Sequence, residues 1–171
     1  MYALIRFYLE LALLRRGPQD LPASSALVAI LAVAGVVVGA LGGMGMFGGL
    51  APALGANLLD LALSMTMLFV LLQFRGHPGR WLQTAAAFLG LGLLASVTML
   101  GLNQVLLPLG AATLAVLIDV VLVVWLHMAL GSVLRHAIGV PLPLGVGIVF
   151  AYTLMACSRI SRVFPPLTVE S

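Results

Sequence analysis

Five long apolar stretches dominate this sequence, and they constrain its fold more than any other feature. They run over residues 25–46, 54–74, 81–102, 109–134 and from about residue 141 to Cys157. Each is close to the length of about 20 residues with which an α-helix crosses the hydrocarbon core of a bilayer. Charged residues make up 8% of the chain, whereas a soluble globular domain carries about 25%. The sequence therefore predicts an all-α, polytopic transmembrane bundle of five spans.

An amphipathic segment precedes the first span. On a helical wheel Arg6, Glu10 and Arg16 fall within about a third of the circumference. The remaining wide face carries apolar and aromatic side chains, namely Leu4, Phe7, Tyr8, Leu11 and Leu14. This pattern is typical of a helix that lies in the membrane interface. A signal peptide would have an unbroken apolar core followed by a small-residue cleavage site, so we expect the segment to be retained.

Proline and glycine positions divide the chain into three parts. Two prolines and a glycine between residues 17 and 22 end the amphipathic helix, because neither residue type continues a helix well. We therefore predict an N-terminal helix and turn over 1–24, a five-helix membrane domain over 25–157 and a C-terminal tail over 158–171.

The arginines are distributed unevenly between the two ends of the predicted bundle. If the five spans alternate in direction, six arginines fall on the side of the N-terminus: Arg6, Arg15, Arg16, Arg75, Arg80 and Arg135. Arg159 and Arg162 fall on the opposite side. By the positive-inside rule the N-terminus is cytoplasmic, and the C-terminus is periplasmic if the membrane is a bacterial inner membrane. The placement of the arginines, which give the chain its net charge of +3, is therefore explained by orientation in a bilayer and not by nucleic-acid binding.

The residue types that are rare or absent narrow the chemistry. The chain has no lysine, which excludes a Schiff-base enzyme and a P-loop. Its single cysteine, Cys157, cannot form an intrachain disulfide or a thiolate metal cluster. Haem held between helices needs two axial ligands at comparable depth, but His127 lies inside a span while His77 and His136 lie in turns. We expect no catalytic residues, no metal and no cofactor.

Three ionisable side chains lie well inside the predicted spans: Asp60, Asp119 and His127. A charge at the middle of a bilayer costs at least about 2.5–3.5 kcal/mol on insertion scales, so such residues are candidates for function. One interpretation is a proton or cation path through the bundle. The other is structural hydrogen bonding, with Asp60 bonded to Ser64 or Thr66.

Glycines recur at every fourth position of the first span, at Gly35, Gly39 and Gly43. This spacing places a smooth groove along one helix face, where a second helix can approach closely. We predict helix packing there. The sequence leaves open whether the second helix belongs to this chain or to another membrane protein.

A short similarity between the second and fourth spans suggests an internal repeat. Asp60 and Asp119 each follow two apolar residues near the start of a span, and each span ends in an arginine. Spans two and three would then form one helical hairpin and spans four and five an equivalent one.

Three stretches together resemble a known family: GPQDLP at residues 17–22, QTAAAFLG at 83–90, and residues 125–136, which end in LRH. With them the chain resembles the bacterial branch of the Yip (Ypt-interacting) membrane proteins. The resemblance implies an amphipathic segment, five spans, a cytoplasmic N-terminus and a C-terminus on the opposite side. Eukaryotic relatives carry an Asp-Leu-Tyr-Gly-Pro type of motif before the first span, whereas here Asp20 and Leu21 follow Gly17 and Pro18 without a tyrosine. No functional residue of the family therefore carries over.

Three functions fit these features. The first is a non-catalytic inner-membrane scaffold, assembly factor or accessory subunit that meets other membrane proteins through glycine-rich helix faces. The second is a small transporter or proton- or cation-conducting protein that uses Asp60, Asp119 and His127. The third is a sensor of lipid composition that acts through the N-terminal helix.

Overall fold

The structure, a computed structural model, describes residues 2–167 of the 171-residue chain, with side chains from Arg6 onward. Six α-helices form in this part: α1 (Tyr2–Ala12), α2 (Ser25–Phe47), α3 (Leu50–Phe74), α4 (Trp81–Leu106), α5 (Ala112–Ile138) and α6 (Leu142–Val163). Helices α2 to α6 are long and apolar enough to cross a membrane. The predicted all-α bundle with five spans is confirmed, and the chain is a multi-pass membrane protein. Met1, the Leu4 side chain and residues 168–171 of the predicted tail lie outside the described residues.

The helix ends follow local sequence signals. The Ser24 side chain accepts a hydrogen bond from the Leu27 backbone N–H at 3.2 Å and so caps the start of α2. Gly48 and Gly49 turn the chain with φ values of 77° and 143°, which a side chain would disfavour. The next helix begins at Leu50, four residues earlier than the sequence indicates, because Pro52 falls in the first turn, where no backbone donor is needed.

The five membrane helices close into a ring. Going round it, α2 packs against α3, α3 against α6, α6 against α5, α5 against α4, and α4 against α2. The α3–α6 interface is the smallest of these five. A ring of five helices leaves space along its axis unless side chains fill it.

Two groups of turns mark the two ends of the ring. At one end, which we call the Arg75 end, lie helix α1, the turn over residues 75–80 and the turn over 139–141. At the other, the Gly48 end, lie the turn over 48–49 and the segment over 107–111.

The α5–α6 hairpin is held by close contact between glycines. A Cβ added at Gly145 would overlap the carbonyl oxygen of Gly131 on the facing helix, so the two backbones touch there. By contrast, α3 and α4 share a small interface although they are joined by a short turn. The two hairpins that the sequence suggests as repeats are therefore packed in different ways.

Helix α1 uses its apolar face to dock on the bundle. Phe7, Tyr8 and Leu11 are buried in the same core as residues of α4 and α5. The Tyr8 hydroxyl donates to the Ala86 carbonyl oxygen at 3.0 Å, and the indole N–H of Trp125 donates to the carbonyl oxygen of Ala12 at 3.1 Å. Leu14, the last residue of the predicted apolar face, is exposed.

Arg6, Glu10 and Arg16, which the helical wheel places on one face, meet in the structure, although α1 ends at Ala12 and Arg16 follows it. Glu10 pairs with Arg6 at 2.9 Å and with Arg16 at 2.6 Å. The hydrogen bond from the Arg6 guanidinium lowers the pKa of Glu10. The amphipathic helix thus has a charged outer face and an inner face bound to α4 and α5.

Two arginines of the 75–80 turn bind the end of α5. Arg75 donates through Nε and Nη2 to the Ile138 carbonyl oxygen at 3.3 and 3.2 Å. Arg80 donates to the carbonyl oxygens of His136 and Ala137, both at 3.3 Å. The last carbonyls of a helix lack partners and carry partial negative charge. These arginines therefore join the two turns at this end of the bundle, in addition to setting charge at the membrane surface.

Helix α6 continues past Cys157, the predicted end of the membrane domain, to Val163. The chain then folds back over the Gly48 end. Leu167 donates its backbone N–H to the Met46 carbonyl oxygen at 2.8 Å, and the Phe164 ring lies against Gly55 of α3. The described part of the tail is thus attached to α2 and α3.

Candidate functional site in the membrane-spanning bundle

A cavity of about 460 Å³ lies inside the ring, lined by residues from all five membrane helices. Phe88 and Leu130 line it and also belong to the packed apolar core, which includes Leu91, Leu134 and Val149. They form its floor on the side of the Arg75 end. Ligand pockets in proteins measure about 300–1,000 Å³, so this cavity is large enough for a small organic molecule.

Asp60 of α3 lines this cavity and is bonded to Tyr152 of α6. The Tyr152 hydroxyl lies 2.8 Å from the Asp60 carboxylate and 3.1 Å from the Asp60 backbone carbonyl oxygen. Asp60 is residue 11 of the 25 in α3 and Tyr152 is residue 11 of the 22 in α6, so both are near the middle of their helices. This hydrogen bond therefore joins α3 and α6, which share the smallest interface of the ring, near the middle of both helices.

Asp60 belongs to a polar stripe on α3. Asn57, Asp60 and Ser64 all line the cavity, and their spacing of three and four residues places them on one helix face. The Ser64 hydroxyl donates to the Leu61 carbonyl oxygen at 3.0 Å, and Thr66 donates to Ala62. The hydrogen bond expected between Asp60 and Ser64 or Thr66 is therefore not formed, because both hydroxyls bind backbone carbonyls of their own helix.

His127 of α5 lines the same cavity. Its Nδ1 lies 2.8 Å from the Val123 carbonyl oxygen, and its Nε2 lies 3.1 Å from the Thr153 hydroxyl. Thr153 follows Tyr152 in the sequence, so α6 brings the partners of Asp60 and His127 next to each other. Two of the three ionisable candidates thus share one site.

Asp119, the third candidate, lies elsewhere. Its Oδ2 accepts a hydrogen bond of 2.9 Å from the Asn103 amide across the α4–α5 interface. Its Oδ1 is buried and has no hydrogen-bond partner among the described residues. Asp119 is absent from the cavity lining, so the structure separates it from Asp60 and His127.

The three glycines of the first span have different surroundings. A Cβ at Gly39 would overlap the Asn57 side chain, and one at Gly43 would lie 3.9 Å from Ala53. Both glycines thus face α3 of the same chain, whereas Gly35 lines the cavity and has no atom within contact distance of an added Cβ.

Tyr152 and Thr153 are site residues that the sequence does not indicate. Both are neutral polar residues in the middle of an apolar stretch, whereas Asp60 and His127 are ionisable. Asn57 was missed for the same reason, although its spacing from Asp60 and Ser64 is a helical polar stripe that the sequence does show. The pairing of α3 with α6 has no comparable signal in one sequence.

Within residues 2–167, no three His, Cys, Asp or Glu side chains come together in a way that could hold a metal ion. No family model, curated protein or solved structure matches this chain. The candidate site is therefore interpreted from its own geometry.

Proposed function

We propose that the protein is a small, non-catalytic membrane transporter that accepts a cation in the cavity, with Asp60 as the residue that holds the positive charge. The observation that supports this function is the position of Asp60 at mid-membrane depth in a cavity whose described lining contains no arginine. Asp60 is exposed in the structure, and a charged side chain within a membrane span is costly unless it is compensated. A cation that enters the cavity supplies that compensation.

The glycine face gives less support to an accessory subunit than the sequence alone does. Gly39 and Gly43 are occupied by α3, so they do not require a helix from another protein. His127 adds to the transport proposal, because it places a polar side chain of α5 in the same cavity.

Flux measurements on the purified chain in liposomes test this function. With a gradient of a radiolabelled cation imposed, we expect uptake above that of empty liposomes, and we expect Asp60→Asn to abolish it. Asp119→Asn is the matched control, since it removes a carboxylate from α5 outside the cavity and is expected to keep the flux. Wild-type liposomes no more permeable than empty ones would contradict the proposal.

The orientation that we propose is a cytoplasmic N-terminus and a periplasmic C-terminus in a bacterial inner membrane, as in Yip-like proteins. The six arginines on the N-terminal side support it. A C-terminal fusion to alkaline phosphatase should be active and the same fusion to green fluorescent protein dark. A bright fluorescent fusion would reverse the assignment.

An accessory subunit is the second candidate function. Gly42 and Gly45 of α2 are exposed, and a Cβ at either would meet no atom, so this face leaves room for a helix of another membrane protein. Purification in mild detergent should then yield a stoichiometric partner, and Gly42→Leu should release it. A chain that purifies alone and still carries flux would exclude this function.

A further inference from the structure

We propose that the ligand of the cavity is a protonated primary amine with an apolar body. This inference rests on the proposed function, because it names the class of cation that Asp60 holds. It is carried by the hydrogen-bonding state of the polar side chains that line the cavity, which are left mainly as acceptors.

Most hydroxyl groups of the lining already donate a hydrogen bond to another group of the protein. Ser64 donates to Leu61, and Thr153 donates to the Val149 carbonyl oxygen at 3.0 Å. The Tyr152 hydroxyl donates to Asp60. A hydroxyl has one proton and two lone pairs, so each of these groups has acceptor capacity left. Ser96 is the lining hydroxyl that donates to no group among the described residues.

The nitrogen donors are committed in part. The Asn57 amide uses one of its two N–H groups on the Ala53 carbonyl oxygen at 2.9 Å, and its own oxygen lies against Gly39 of α2. Both ring nitrogens of His127 lie against oxygen atoms of the protein, Val123 O and Thr153 Oγ1. Whichever tautomer is present, an N–H of this ring is directed at a protein oxygen and not into the cavity.

A ligand for such a site must bring donors of its own. An ammonium group carries three N–H donors and a positive charge, which match the carboxylate of Asp60 and the hydroxyl oxygens of Ser64 and Tyr152. An anion would face the negative charge of Asp60 in a cavity whose described lining contains no arginine, so repulsion would reduce its affinity.

The remaining lining is apolar and defines the rest of the ligand. Phe47, Leu61, Leu89, Leu93 and Leu126 contribute hydrophobic surface around the polar stripe. An apolar body of about ten carbon atoms gains affinity from burial there, at roughly 25 cal/mol per Å² of apolar surface removed from water. A bare inorganic cation would leave these walls without contact.

Binding of radiolabelled 2-phenylethylamine to the full chain in detergent tests this inference at neutral pH. Three competitors of similar size separate charge from donors: 2-phenylethanol is neutral, phenylacetate is an anion, and trimethyl(2-phenylethyl)ammonium is a cation without N–H groups. We expect saturable binding of the amine, weaker competition by the quaternary cation, and no competition by the alcohol or the anion.

Variants of the aspartates locate the binding. We expect Asp60→Asn to weaken amine binding by about tenfold or more, which corresponds to about 1.4 kcal/mol, and Asp119→Asn to leave it unchanged. Asp60→Glu keeps the charge and should bind within a few-fold of wild type. Competition by the alcohol as strong as that by the amine would overturn the inference on the wild-type chain itself, so the test does not depend on the folding of a variant.

The two proposals fail in different ways. Flux without amine binding would overturn the proposed ligand class, and the protein would then transport a different cation. Amine binding without flux would support the ligand class and overturn transport.

Discussion

The Tyr8 hydroxyl joins α1 to α4, and its burial gives this contact a pH dependence. Burial raises the pKa of Tyr8 to about 12, whereas the exposed side chain ionises near pH 10. The folded state therefore holds the proton more tightly than the unfolded state. The contribution to stability is complete below about pH 10 and is lost as the pH rises through about 12. We expect the thermal midpoint in detergent, followed by circular dichroism, to fall over this range.

Tyr8→Phe is the control for this effect. The variant keeps a ring of similar size against Gly90, which approaches the Tyr8 ring closely, and loses the hydroxyl that donates to Ala86. It should be less stable than wild type at neutral pH, by about 0.5–1.5 kcal/mol for one neutral hydrogen bond, and should show a smaller fall at high pH. An equally steep fall in the variant would assign the pH dependence to other groups.

At the same scale, the sequence predicts which residues of the site are polar but not how they pair. Asp60 and His127 stand out because charged residues inside spans are rare. Their partners on α6, Tyr152 and Thr153, do not, since a neutral polar side chain in an apolar stretch costs less than a charged one. The pairing of Asp60 with Tyr152 depends on which helices meet, and that is decided by the packing of the whole bundle.

Close contact between Gly131 and Gly145 determines how α5 and α6 pack, and it supports a prediction at the level of the helix pair. Gly145→Ala places a methyl group against the Gly131 carbonyl oxygen, so α5 and α6 must move apart. We expect a loss of about 1–3 kcal/mol in stability, the usual cost of overpacking. Thermal unfolding in detergent measures it.

Gly147→Ala is the matched control, two residues further along α6. A Cβ there meets no atom within 4 Å, and alanine favours a helix over glycine by up to about 1 kcal/mol. This variant should be as stable as wild type or more stable. If both variants lost the same stability, close packing at Gly145 would not be the cause.

At the level of the helix, the sequence predicts the position of each span well. Mean apolarity over about 20 residues identifies each span, because backbone groups inside a bilayer must be satisfied within the helix. The ends differ more, since α4 continues through Asn103 and Gln104 to Leu106 and α6 continues through Arg159 and Arg162 to Val163. Helical structure there extends past the apolar stretch that hydropathy identifies. The order of the helices around the ring is not contained in hydropathy.

The rate at which charged reagents modify the single cysteine measures the electrostatic potential of the cavity. Cys157 is exposed and lines the cavity together with Asp60. A cationic methanethiosulfonate reagent should therefore modify it several-fold faster than an anionic one of similar size, because a negative cleft concentrates cations. Mass spectrometry of the intact chain gives both rates.

Two variants complete this measurement. Asp60→Asn should remove most of the preference for the cationic reagent. In a Cys157→Ser chain, Ser158→Cys places the thiol at an exposed position outside the cavity lining, where Asp60 should have little effect. Equal rates for the two reagents at Cys157 in the wild-type chain would show that the cavity has no negative potential.

Closure of the ring between α3 and α6 also determines the order of events during biosynthesis. Helix α3 leaves the ribosome before α6 is made, so Asp60 enters the membrane before Tyr152 exists to bind it. The carboxylate therefore gains its tyrosine donor only when the last helix arrives. A product truncated before α6 would lack this bond and the α3–α6 contact that closes the ring.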